Sequence, residues 1–267
     1  EGQTLTAVTG TIVDEDGLGS FSYQWSRAGS GISGATSASY TLTQADVGSA
    51  ITVTVNYTDS LNTAESLTSA ATSSVANVND APSGSVTISG TATEGQTLTA
   101  VTGTIVDEDG LGSFSYQWSR AGSAISGATS ASYTLMQADV GSVLTVTASY
   151  TDGQGTGESL TSAATSSVAN VNDAPSGSVT ISGTAVEDGV LTAANTLTDE
   201  DGLGSFSYQW NRAGSAISGA TSASYELVQS DVGSTINVTA TYTDGQGGAE
   251  SVSSESTESV VNVNDAP

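Results

Sequence analysis

GTIVDEDGLGSFSYQWSRAG, at Gly103–Gly122, sets a run of acids directly before a run of alternating aromatics. Phe114, Tyr116 and Trp118 fall on one side of an extended chain, and Ser115, Gln117 and Ser119 on the other. A period of two predicts a half-buried β-strand, and the Asp-Glu-Asp-Gly before it predicts a turn. Outward from this stretch the pattern repeats. Val86 and Ile88 alternate with Thr and Ser until Gly90, Leu98 and Ala100 begin another run, and Leu144, Val146, Ala148 and Tyr150 end at Asp152-Gly153. No segment sustains a 3.6-residue period. Some seven short strands with one Trp on the third predict an all-β fold, an immunoglobulin-like sandwich with Trp118 between its sheets.

The same stretch stands at Gly10–Gly29 and, as TLTDEDGLGSFSYQWNRAG, at Thr196–Gly214. NVNDAP closes each copy, at Asn77–Pro82, Asn170–Pro175 and Asn262–Pro267. A fixed period of about 93 residues signals an array whose unit is a complete small domain. The expected organisation is three tandem β-sandwich domains in an extended rod, at residues 1–82, 83–175 and 176–267. Glu1 aligns with Glu94, so the first copy has no counterpart of Ser83–Thr93, the predicted first strand. The chain is therefore expected to be a fragment, and its first domain to have an open sheet edge.

Composition narrows the chemistry. There is no Cys, His or Lys, which removes disulfides, thiolate or imidazole metal sites, the usual nucleophile–base pairs and lysine isopeptide bonds. A net charge of −25, from 28 acids against three arginines, excludes nucleic acid and anionic membranes as partners. No apolar run is long enough to span a bilayer.

The acids fall in predicted turns, and strand direction sorts those turns into two ends. Asp107, Asp109 and Asp152 belong at the entrance of the second domain; Glu94, Asp139, Asn170, Asn172 and Asp173 belong at its far end. End-to-end stacking then gathers Glu1, Asp46, Asn77, Asn79, Asp80, Asp107, Asp109 and Asp152 at the first junction. The second gathers Glu94, Asp139, Asn170, Asn172, Asp173, Asp199, Asp201 and Asp244. Each pair of like charges at ~4 Å costs about 1–4 kcal/mol, depending on local dielectric. Carboxylates and amide oxygens in such number predict Ca²⁺, which takes six to eight oxygen ligands in flexible geometry, in preference to Mg²⁺.

NVNDAP resembles the calcium-binding linker of cadherins, DxNDNxP, with Asn77, Asn79 and Asp80 at its first, third and fourth positions. Asp107-Glu108-Asp109 resembles the cadherin DxD loop, Glu94 the early Glu, and Asp139 the acid before the sixth strand; QADVG at Gln137–Gly141 replaces the cadherin DRE. The near-identical, acidic copies are also similar to extender repeats of giant repeats-in-toxin adhesins. That resemblance implies a cadherin-like spacer on a bacterial surface, extracellular, monomeric, and stiffened by calcium held between neighbouring repeats.

Plainer readings stand beside these. Asp-Glu-Asp-Gly and Asp152-Gly153 are also ordinary turn sequences. Asp46, Asp139 and Asp231 can cap a turn, and Arg27, Arg120 and Arg212 are expected on an outer strand face. Trp25, Trp118 and Trp210 are expected in the core, not on a sugar platform. The rival functions are a glycan-, ice- or protein-binding module and an enzyme accessory region; no catalytic residues are predicted.

Overall fold

A computed structural model describes residues 1–264, so the end of the third NVNDAP lies outside the described residues. The chain is built of short strands. The first repeat holds β1 (Thr4–Thr6), β2 (Ser22–Arg27), β3 (Ser30–Gly31), β4 (Ser39–Thr41), β5 (Ile51–Thr58) and β6 (Ala64–Thr68). The second holds β7 (Thr87–Ser89), β8 (Thr97–Val101), β9 (Ser115–Arg120), β10 (Ser123–Ala124), β11 (Ser132–Thr134), β12 (Leu144–Thr151) and β13 (Gly157–Thr161). The third holds β14 (Val179–Ser182), β15 (Val190–Asn195), β16 (Ser207–Arg212), β17 (Ser215–Ala216), β18 (Ser224–Glu226), β19 (Ile236–Thr243) and β20 (Ala249–Ser253). Among the described residues no helix is long and apolar enough to cross a membrane.

Every named pairing is antiparallel, and each repeat forms two sheets. In the second, β11-β8-β7 faces β10-β9-β12-β13; in the third, β14-β15-β18 faces β17-β16-β19-β20. The first has β3-β2-β5-β6 but only β1-β4 opposite, because no residues of this chain stand where β7 and β14 stand. Alternation explains the packing. Along β12, Leu144, Val146, Ala148 and Tyr150 point inward while the threonines and Ser149 between them are half-buried. Trp118 is fully buried at the centre, stacked on Tyr133 with ring centroids 5.9 Å apart, and its indole N–H donates to Ser130 O at 2.9 Å. Aromatic stacking with a satisfied N–H is what a buried Trp requires. The three repeats have three separate apolar clusters, centred on Trp25, Trp118 and Trp210.

The turn before β12 corrects the expectation for the arginines. Asp139 is wholly buried there: Arg120 Nε donates to Oδ1 at 2.6 Å, and the Tyr133 hydroxyl and Met136 backbone N–H donate to Oδ2 at 3.0 and 2.9 Å. Arg27 and Arg212 hold Asp46 and Asp231 in the same way. So the arginines do not lie idle on an outer face. Burial alone would raise the Asp46 carboxyl, but donors from Thr43, Arg27 and Tyr40 outweigh it and hold it below the ordinary range. With both oxygens saturated by protein donors, Asp46 and Asp139 are structural anchors of the turn. Neither belongs to the two groups of carboxylates gathered at the junctions.

Candidate metal centres

Loop chemistry places the acids. In the turn between β8 and β9, Asp107 Oδ1 accepts the Asp109 backbone N–H at 2.9 Å, and its Oδ2 accepts the Tyr150 hydroxyl at 2.5 Å. Burial and that hydrogen bond push the Tyr150 hydroxyl well above its usual pKa. Gly110 turns the chain at φ +91°, and a Cβ on Gly112 would fall 2.0 Å from Thr151 O, so both positions need glycine. The loop thereby presents Asp109, which is 4% exposed. Its Oδ2 accepts the backbone N–H of Asp80 in the linker at 2.8 Å, and its Oδ1 accepts the Gln44 side-chain amide at 2.6 Å. One carboxylate therefore joins the first domain, the linker and the second domain.

The second junction repeats this. Asp199 Oδ1 accepts the Asp201 N–H at 2.9 Å, and Asp201 accepts the Asp173 N–H and the Gln137 amide, both at 2.8 Å. The neighbouring turn docks alongside, with Gly153 N–H on Asp109 O and Gly245 N–H on Asp201 O, each at 3.0 Å. Linker asparagines are tied down as well: Asn79 and Asn172 donate to Glu158 and Glu250 at 2.8 and 2.7 Å.

Two groups of carboxylates result. Oxygens of Glu1, Asp80 and Asp109 lie within 4.8 Å of one another, and so do oxygens of Glu94, Asp173 and Glu200. Burial, followed by the adjacent Asp80, pushes the Glu1 carboxyl up. The three arginines are committed to the turn aspartates, so none offsets these charges.

The decisive feature is a set of orphaned atoms. Among the described residues, seven buried side-chain polar atoms lack a hydrogen-bond partner: Glu1 Oε2, Gln44 Oε1, Asn77 Oδ1, Asp152 Oδ2, Gln137 Oε1, Asn170 Oδ1 and Asp244 Oδ2. All are oxygens, and all belong to residues of the two junctions. A buried acceptor without a donor costs about 1–3 kcal/mol, so such groups call for a bound water or ion. Random packing faults would strand nitrogens too. Asp59, the counterpart of Asp152 and Asp244 outside the two junctions, is not among the seven. At the second junction Asn172 Oδ1 and Asp244 Oδ2 converge further: a Cβ on Gly248 would lie 2.0 Å from the first and 2.4 Å from the second. Seven acceptors beside clustered carboxylates fit a hard cation with oxygen ligands.

Of the sequence candidates, Glu1, Asn77, Asp80, Asp109 and Asp152 meet at the first junction, and Glu94, Asn170, Asn172, Asp173, Asp201 and Asp244 at the second. Asp107 and Asp199 stand one step back, orienting Asp109 and Asp201. Sequence reasoning missed Gln44, Gln137 and Glu200, and the glutamates that hold the linker, Glu158 and Glu250. Gln44 and Gln137 had a signal: each opens the QAD segment that stands where cadherins carry DRE.

Neither a protein-family model nor a curated protein matches the chain. Solved structures resemble it weakly. A tetra-tandem repeat from the extending region of a large adhesion protein is 19% identical, covering 92% of this chain and 68% of that one at TM-score 0.29. A Ca²⁺-stabilised adhesin with which an Antarctic bacterium binds ice is 16% identical, with 98% and 69% covered at TM-score 0.31. A tandem-domain segment of titin is 11% identical, with 98% and 99% covered at TM-score 0.28. Scores this low carry no argument about what this chain does.

Proposed function

We propose that the chain is a non-catalytic spacer from a bacterial surface adhesin, of the extender type, made stiff by Ca²⁺ bound at its two domain junctions. The observation that carries this reading is the set of seven buried, donorless oxygens confined to those junctions. Glu1, Gln44, Asn77, Asp80, Asp109 and Asp152 would hold the ion at the first junction. Glu94, Gln137, Asn170, Asn172, Asp173, Glu200, Asp201 and Asp244 surround the second. The bound cation supplies positive charge that neutralises the acids and ties the far turn, the linker and the next entrance loop to one centre. The protein's own share is placement: Asp107 and Asp199 aim the loop, and Gln44 and Gln137 bring the preceding domain to it. An extracellular location accords with this reading, since millimolar calcium saturates weak sites there.

The test is small-angle scattering with calcium and with chelator. Sandwich domains about 35–45 Å long, from strands of ~10 residues at ~3.4 Å, give roughly 110–140 Å for three in line. Calcium should produce that length, and chelation should shorten the mean dimension by bending the joints. An identical, compact profile in both conditions defeats the spacer reading.

A further inference from the structure

Along one edge of the second domain the likeness of the repeats breaks down. β7 ends the sheet β11-β8-β7: it pairs with β8 on one side, and no strand lies on the other. Ser83–Thr93, which contains β7, has no charged residue in a chain of net charge −25. Beside this edge lies a groove of about 290 Å³, with Val86 and Ile88 on one side and Ala163, Ala164 and Ser166 on the other. The Ser162 N–H donates to Val146 O just as the Ser254 N–H donates to Val238 O, which matches Ala163 to Glu255 and Ser166 to Glu258 of the third domain. Both glutamates are exposed. Charges beside a sheet edge keep it from pairing with another chain. The third domain carries two there, and the second none.

We infer that β7 pairs antiparallel with β7 of a second copy of this chain, in place of the monomer that the resemblance implies. The strand itself names the occupant. Ser85-Val86-Thr87-Ile88-Ser89 reads almost alike in both directions, so a two-fold axis at Thr87 sets Ser85 against Ser89, Val86 against Ile88 and Thr87 against itself. Such a self-complementary contact closes at two copies. Val86 is 3% exposed and Ile88 half-buried, whereas Ser85, Thr87 and Ser89 are exposed. Pairing thus continues the sheet across the axis, with apolar side chains opposite apolar ones and hydroxyls opposite hydroxyls. Charge points to the same partner. A strongly acidic chain repels its copies over most of its surface and approaches one only along a strip without acids. In the third domain Ser178–Ser182 repeats the SVTIS sequence, but Glu255 and Glu258 flank it, so the contact falls to β7.

The chain has no cysteine, so a single Thr87→Cys can form a disulfide only between copies. Directly opposed residues of antiparallel strands have Cα atoms about 4.5–5.5 Å apart, within reach of a disulfide. Mild oxidation of the whole chain should link the Thr87→Cys protein into dimers. Ser89→Cys, which faces Ser85 of the second copy, should link at least tenfold more slowly. Sedimentation of the parent chain should show a reversible equilibrium of monomer and dimer. Ala163→Glu with Ser166→Glu, side chains that the third domain carries at the same places, should weaken it at least tenfold while leaving the melting curve of the monomer in place. Equal linking of the two cysteine variants overturns the assignment. So does a parent chain that stays monomeric into the millimolar range, or a dimer that the two glutamates leave intact. None of these readouts depends on whether the junctions hold metal.

Discussion

Asp139 and Asp109 are both buried carboxylates, and their neighbours assign them opposite roles. Asp139 meets a guanidinium, a phenol and a backbone N–H, all donors. Asp109 also accepts two hydrogen bonds, but it lies beside other acids and beside amide oxygens that have no donor. Asp139→Ala should therefore destabilise the second domain by about 2–3 kcal/mol, less than a dry ion pair would because Arg120 is 29% exposed, and leave calcium affinity unchanged. Denaturant melts with a calcium titration separate the two effects. Tyrosine supplies a pH test. The hydrogen bond to Asp14, with burial adding to it, pushes the Tyr57 hydroxyl up to about 12, and Tyr150 and Tyr242 are raised too. A pKa raised on folding contributes stability that is whole below the unfolded value near 10 and lost as pH climbs through the folded one. The chain should hold its stability to about pH 10 and lose it steadily beyond, by alkaline melts, and Asp14→Asn should bring the Tyr57 titration back toward 10 in ultraviolet absorbance.

At the scale of elements, period-two alternation made the strands legible, since facing and burial follow directly from sequence along β12. The turns were legible only in part. Asp139 looked like a ligand because the arginine that saturates it lies 19 residues back on β9, a pairing visible only once strand and turn share an end. Gln44 and Gln137 went unread because an amide adds nothing to a charge pattern. Glycine placement was equally silent: position 248 is Gly in the third repeat, where the second has Thr156. A side chain at 248 would collide with Asn172 Oδ1 and Asp244 Oδ2. Gly248→Ala should accordingly weaken calcium binding at the second junction several-fold and leave the first intact. Calorimetry of the variant, read as the loss of one class of sites, checks this.

Across the whole molecule, three apolar clusters stabilise three sandwiches independently, and polar contacts join them. At each junction those contacts converge on one aspartate, Asp109 or Asp201, surrounded by oxygens that repel one another unless a cation lies among them. A ligand bound only by the folded state adds about 2.7 kcal/mol at a hundredfold excess over its Kd. Calcium should thus raise the melting temperature far more than equal ionic strength of a monovalent salt does. The most direct measurement is a calorimetric calcium titration of the chelator-treated chain beside its Asp109→Asn, Asp201→Asn double variant. The account predicts saturable binding at both junctions of the parent chain and at least a tenfold loss of affinity in the variant. Absence of saturable binding, or the same isotherm from both proteins, would contradict it.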